Sequence, residues 1–207
     1  MTLSAEREQR LEHARRLEVV SLGYNVVETV VGLAAGIAAA STALIAFGLD
    51  SVVESMSAAV LLWRLRSESQ LRRTSEDAER RALRPVALAF VALAVYVGIS
   101  AVVDLARGHH PEESAVGIAL AAVSVVVMPW LAVAKRRAAD GLQSRSLAAD
   151  STQTWLCALL SGFLLVGLAA NALLGWWWAD PVSALGIAAI AVNEGRELWA
   201  AEGAHAH

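Results

Sequence analysis

Apolar residues gather along this chain in stretches of about twenty, separated by short charged runs. The stretches fall at 17–38, 41–64, 85–107, 114–134, 148–173 and 181–199. A helix crossing the ~30 Å hydrocarbon core of a bilayer needs about 20 mostly apolar residues, so each stretch predicts one transmembrane helix. The connectors are too short for a separate soluble domain. The expected fold is an all-α membrane protein, a six-transmembrane-helix bundle. Residues 1–16 are then a cytoplasmic N-terminal segment, 17–199 the transmembrane domain and 200–207 a short cytoplasmic tail. The first sixteen residues are charged and carry no apolar core before a small-residue cleavage site, so they are not read as a signal peptide.

Composition narrows the class. Of 207 residues, 57% are hydrophobic and 18% charged, against about 45–50% and 25% in soluble domains. A net charge of −3 argues against a nucleic-acid partner, which demands a basic surface. The single cysteine, Cys157, cannot close an intramolecular disulfide.

Charge also sets the orientation. The 17 basic residues cluster before span one (Arg7, Arg10, Arg15, Arg16), between spans two and three (Arg64 to Arg84), after span four (Lys135, Arg136, Arg137, Arg145) and near the end of span six (Arg196). With six crossings all of these share one face, and only Arg107 is opposite. Positive charge stays cytoplasmic, which predicts both termini inside. The other face carries His109, His110 and the run Trp176, Trp177, Trp178, suited to an interfacial belt. Small residues within the spans (VGLAAGIAAAS, SALGIAAIA) suit close helix packing, since lipid supplies no hydrophobic drive between helices.

Ionisable residues inside a bilayer are costly and ask for a reason. In span two, Asp50 and Glu54 lie four residues apart and therefore on one helix face. Two like charges one turn apart need a cation between them or a proton on one. In span five, Asp150, Gln153, Thr154 and Cys157 follow the 0, 3, 4, 7 spacing of one helical stripe, and all four present lone pairs. Depth counted at ~1.5 Å per residue lets the two sets face each other. Asn25 and Glu28 in span one share that depth; they either touch the ion path or only bond a neighbouring helix. Asp104, Asn171 and Asp180 at the outer ends fit a vestibule or helix caps equally well, and Asn193 and Glu194 fit hydrogen bonds within the bundle. The histidines (His13, His109, His110, His205, His207) all fall in loops or tails, so an intramembrane site must use oxygen and one sulfur.

These features resemble the cation diffusion facilitator family. The stretches GLDSVVESMSA, AADSTQTWLCALLS and ADPVSALGIAAIAV carry the resemblance, which covers residues 17–199. It implies a divalent-cation exporter, a homodimer working by alternating access that exchanges zinc, or iron, manganese, cobalt or cadmium, for protons. No permanently bound cofactor is implied; the metal and protons are substrates. Carried over by position, the ligand pairs fall on Asp50 and Glu54 and on Gln153 and Cys157. The second pair departs from the family's usual His and Asp, and an alternative register would use Ser146 and Asp150 at the membrane edge. The chain ends at His207, so the expectation is no cytoplasmic metal-binding domain and, if it dimerises, contact through the bundle.

On this reading Asp150 and Thr154 lie on the ion's path from the cytoplasm. Two other classes compete: a non-transporting accessory or scaffold protein whose acids pair internally, and an organic-cation transporter. An enzyme is not expected. Near-exclusive use of Arg over Lys and richness in Ala point to a bacterial inner membrane.

Overall fold

Each apolar stretch forms a helix, and most helices run on past it at the arginine-bearing end. The computed structural model of the protein describes residues 3–71 and 76–203. Its helices are α1 (Leu3–Ala39), α2 (Thr42–Leu71), α3 (Glu76–Arg107), α4 (Ala115–Leu142), α5 (Arg145–Leu174) and α6 (Ala179–Gly203). There is no strand among the described residues. Among the described residues, five segments are long and apolar enough to cross a membrane: Glu6–Ala39, Thr42–Trp63, Leu88–Arg107, Ala115–Leu142 and Ser146–Leu174; the apolar part of α6, Ala179–Asn193, is shorter. The chain is a multi-pass membrane protein.

The extensions follow from local chemistry. The charged start of α1 continues as helix, braced by Glu12 against Arg16 at 3.2 Å and Arg15 at 3.8 Å. At the end of α4, Arg136 pairs with Asp140 at 3.3 Å. Ser144 caps α5 by accepting from the Leu147 N–H at 3.4 Å, and Gly175 ends it in the left-handed region at φ 66°, where a side chain would be strained. His205 and His207 lie outside the described residues, as does the connector 72–75; the side chains of Arg64 and Glu194 are likewise not described.

α2 is the central helix, packing against α1, α3, α5 and α6, while α4 bridges α1 and α5 and α3 lies along α6. The contact between α1 and α2 is made by glycine. A Cβ on Gly36 would sit 2.8 Å from the Ile45 backbone N, and one on Gly32 would sit 3.3 Å from the Gly48 Cα. The outward faces are apolar: Val19, Val26, Val27 and Val30 on α1, Val95 and Ile99 on α3, Val126 on α4 and Val166 on α5 are all exposed, as lipid contact requires.

The end opposite the arginines is tied together by polar bonds. Asp180 of α6 accepts from Ser41 Oγ and, at 3.2 Å, from the Ala43 N–H, and Asp104 of α3 accepts from Thr42 Oγ1. Asp180 thereby caps α2, whose first N–H groups have no partner within the helix, while Asp104 ties α3 to the Thr42 side chain. Asn171 Nδ2 donates to the Pro111 carbonyl at 3.1 Å, and the Glu112 N–H to the Ala39 carbonyl at 2.8 Å. His110 stacks on Trp177 and Trp176 on Trp178.

The glycine seam makes a direct prediction. Gly36→Leu should destabilise the bundle by about 1–3 kcal/mol, the usual cost of overpacking. Gly23→Ala, where nothing lies within 4 Å of a new Cβ, should leave the melting temperature in detergent unchanged or slightly raised.

Candidate functional site

A polar interior needs helices whose polar stripe faces inward, and α1 is built that way. Glu18, Ser21, Asn25 and Glu28 follow a 3, 4, 3 spacing and are all fully buried, while the valines between them face out. On α4 the same face carries Ser124, Met128, Leu131 and Lys135. On α2 it carries Asp50, Ser51, Glu54 and Ser57, and on α5 Asp150, Thr154, Cys157 and Ser161.

Where α2 and α5 meet, a small cavity is lined by Asp50, Glu54, Gln153 and Cys157, with Phe90 of α3 and Ile190 and Ala191 of α6 among its apolar walls. Its volume of ≈ 10 Å³ is about that of one water-sized probe. The two residue pairs read from the sequence therefore share one chamber. Asp50, Glu54 and Cys157 are at most 5% exposed. Glu54 Oε2 and Gln153 Nε2 are buried without a hydrogen-bond partner. Buried polar atoms left this way are costly, and two of them on one small chamber mark it as a place for a polar guest. Among the described residues no three His, Cys, Asp or Glu side chains converge on one point in this conformation.

A second cluster lies one turn nearer the arginine-bearing end. Lys135 of α4 is fully buried, and its Nζ stands 2.6 Å from Asp150 Oδ2 and 3.3 Å from Glu18 Oε2. It also donates to Thr154 Oγ1 at 3.2 Å, and Thr154 Oγ1 in turn donates to Glu54 Oε1 at 3.1 Å. The Thr154 hydroxyl accepts from Lys135 and has one proton to give, with Glu54 Oε1 and the Asp150 carbonyl each 3.1 Å away as acceptors; the bond to Glu54 links the two clusters. The two clusters are thus one hydrogen-bonded chain, and it fixes one oxygen of Glu54 while leaving the other free of hydrogen bonds.

The remaining candidates divide. Glu28 lies against α2 and α4, accepting from Ser51 Oγ at 3.2 Å and from Ser124 Oγ, which stands 2.9 Å from the Tyr24 hydroxyl. Asn25 is buried with neither side-chain atom bonded. Neither residue lines the cavity. Asp150, expected on the ion's path, has its Oδ2 engaged by Lys135 and does not line the cavity either. Ser146 sits in the first turn of α5, 3.3 Å from Ser144 Oγ, at the helix mouth.

Lys135 and Glu18 are the residues that sequence reasoning passed over. Lys135 closed a hydropathy stretch and was counted with the connector arginines. Two signals were available: it falls in step with Ser124, Met128 and Leu131, and it is the only lysine among 17 basic residues. Glu18 begins the 3, 4, 3 stripe that Asn25 and Glu28 continue.

Comparison with known proteins gives two matches. Residues 82–201 match the Cation efflux transmembrane domain family. "Uncharacterized transporter sll1263" from Synechocystis sp. (strain ATCC 27184 / PCC 6803 / Kazusa) is 31% identical over 184 residues, which cover 84% of this chain and 58% of that relative. The chain therefore spans somewhat over half the length of that relative.

The buried network makes a stability prediction. Lys135→Met alone leaves buried carboxylates unpaired and should cost about 3–5 kcal/mol. The neutral triple variant Glu18→Gln/Lys135→Met/Asp150→Asn should recover most of that loss in thermal denaturation, because pairing rather than charge itself stabilises the fold.

Proposed function

The chain belongs to the cation efflux family, and on that premise we propose that it carries a divalent metal ion across the membrane in exchange for protons. The observation that carries this reading is the shared cavity, where two carboxylates from α2 meet an amide and a thiol from α5. Two carboxylates balance M²⁺ when the site is loaded and can take up protons when it is empty. An amide oxygen and a thiolate add donors, and four such ligands suit the tetrahedral preference of zinc. The thiol favours zinc, cobalt, cadmium or iron over a pure oxygen cage, since soft sulfur selects softer ions. Ligands must shed protons to bind metal, which is the chemical basis for exchange.

The proposed cycle begins at the arginine-bearing face, taken as cytoplasmic by the distribution of positive charge. The ion reaches Asp50, Glu54, Cys157 and Gln153, the bundle rearranges, and protons on the far side release the ion. A homodimer is the proposed assembly, formed through lipid-facing helices or through parts of a longer protein.

The test is metal flux into proteoliposomes. Asp50→Asn and Glu54→Gln should each lower flux by more than about a hundredfold, above the ~10–100-fold loss usual for an outer-shell change around a metal. Cys157→Ser should weaken Cd²⁺ and Zn²⁺ more than Mn²⁺. Unchanged flux in both carboxylate variants, with Asp50→Asn raising the melting temperature, would instead identify the acids as internal structural partners.

A further inference from the structure

Below the cavity, towards the arginines, the bundle is closed in two consecutive layers. The first is charged: Glu18 of α1, Lys135 of α4 and Asp150 of α5, all at most 4% exposed. The second is apolar and comes from the next helical turn of the same helices. Ala14 lies four residues before Glu18, Ala139 four after Lys135, and Leu147 three before Asp150. With Leu11 of α1 and Leu61 and Leu65 of α2 they form a buried cluster separate from the main core. Beyond it, Arg10 Nη1 ties α1 to the Gly141 carbonyl of α4 at 2.7 Å.

Every helix that the charged layer joins thus also contributes to the apolar plug. The charged layer alone is bonded to the cavity, through Thr154 to Glu54 Oε1. We propose that the Glu18–Lys135–Asp150 layer, with the apolar layer beneath it, is the gate between the cavity and the arginine-bearing face. Opening it requires Lys135 to let go of Asp150, so that α4 and α5 can part.

The physical logic is that an apolar plug alone resists hydration but has no means of registering what occupies the cavity. A tethered ammonium does register it. The cation's partners on α1 and α5 hold the layer shut, and its link through Thr154 makes the pose of Glu54 part of the closed arrangement. A cation on Glu54 and the Lys135 ammonium repel each other, so loading and closure are coupled. That coupling rests on the metal-transport reading; the position of the gate does not.

The lone cysteine provides a reporter that needs no metal. Cys157 lines the cavity at 2% exposure and is the only cysteine in the chain. Alkylation by a small membrane-impermeant maleimide is followed in proteoliposomes, with reagent added to one face at a time. The wild type should react slowly from the arginine-bearing face. The variant Glu18→Gln/Lys135→Met/Asp150→Asn should react about tenfold faster from that face, corresponding to ~1.4 kcal/mol in the opening equilibrium, and no faster from the other. Asp150→Asn, which keeps the Glu18–Lys135 pair, supplies a milder variant in case the triple variant does not fold; it should accelerate the same face to a smaller extent. Lys135→Arg keeps the charge but not the compact shape of the donor, and should accelerate the same face less than the triple variant does.

Unchanged alkylation in the folded variants, or equal acceleration from both faces, would overturn the gate, because general loosening exposes the thiol to either side. Absence of any divalent-metal flux in the wild type would remove the transport reading while leaving this comparison fully interpretable.

Discussion

A charge placed in lipid has to bring its compensation with it, and the interior of this bundle is organised around that requirement. Among the described residues six carboxyl groups, Glu18, Glu28, Asp50, Glu54, Asp150 and Asp180, lie buried among helices whose outer faces are valine, leucine and isoleucine. One lysine is buried with them. Water solvates none of these groups, so each contact that Lys135 makes is worth more than the same contact on a surface, and each one it lacks costs more. The 2.6 Å contact to Asp150 and the 3.3 Å contact to Glu18 therefore act as structural bonds joining α1, α4 and α5. Replacing the ammonium with a guanidinium keeps the charge but changes the shape of the donor. From its place on α4 a compact ammonium serves three oxygens on two other helices, α1 and α5, whereas a planar fork suits two on one carboxylate.

Helix packing follows from the same constraint. Because the hydrophobic effect does not draw helices together in lipid, α1 and α2 are held by close backbone approach at Gly32, Gly36 and Gly48 and by the polar bonds inside. The hydrogen bonds from Ser51 and Ser124 to Glu28 span α2, α1 and α4. The two ends of the bundle use different means. The far end is laced by Asp180, which caps α2, by the bond from Thr42 to Asp104 and by the backbone bond from Glu112 to the end of α1. Among the described residues, the arginine-bearing end is held through side chains, a charged layer over an apolar one, with Arg10 on the Gly141 carbonyl beyond them. Side-chain contacts can separate without breaking secondary structure, whereas the caps on α2 are part of how that helix begins.

Much of this was legible in the sequence. Twenty-residue apolar stretches located all six helices, and i, i+4 spacing put Asp50 with Glu54 on the face that meets α5. The 0, 3, 4, 7 stripe in α5 was real, but it serves two purposes: Gln153 and Cys157 look into the cavity, while Asp150 and Thr154 turn to Lys135. Spacing tells which residues share a helix face; it does not tell which neighbour each one meets. The helix ends were less legible, since hydropathy falls where charge begins and the helices do not stop there. That is why Lys135 read as a connector residue. Its long apolar stem lets it follow Ser124, Met128 and Leu131 along the inner face of α4, a placement that hydropathy averaging over a window erases. Glu18 was missed for the same reason, as the first polar position of a stripe whose later members stood out against valines.

The division of carboxylates into two sets also gives a reason for the unusual donors of α5. Glu18 and Asp150 have a fixed counter-charge in Lys135. Asp50 and Glu54 instead border a chamber of ≈ 10 Å³. On the proposed reading, a divalent ion matches those two carboxylates in charge. A third carboxylate on α5 at position 157 would add a negative charge to the empty chamber next to Glu54, and the nearest positive group is already committed to Asp150. An amide and a thiol extend the set of donors without adding to the formal charge of the empty chamber. The thiol can still contribute a negative charge when a metal replaces its proton. The substitution of neutral donors at 153 and 157 and the presence of a buried lysine one turn away are then two parts of one electrostatic arrangement, in which the fixed cation holds the bundle together and the exchangeable one is free to leave.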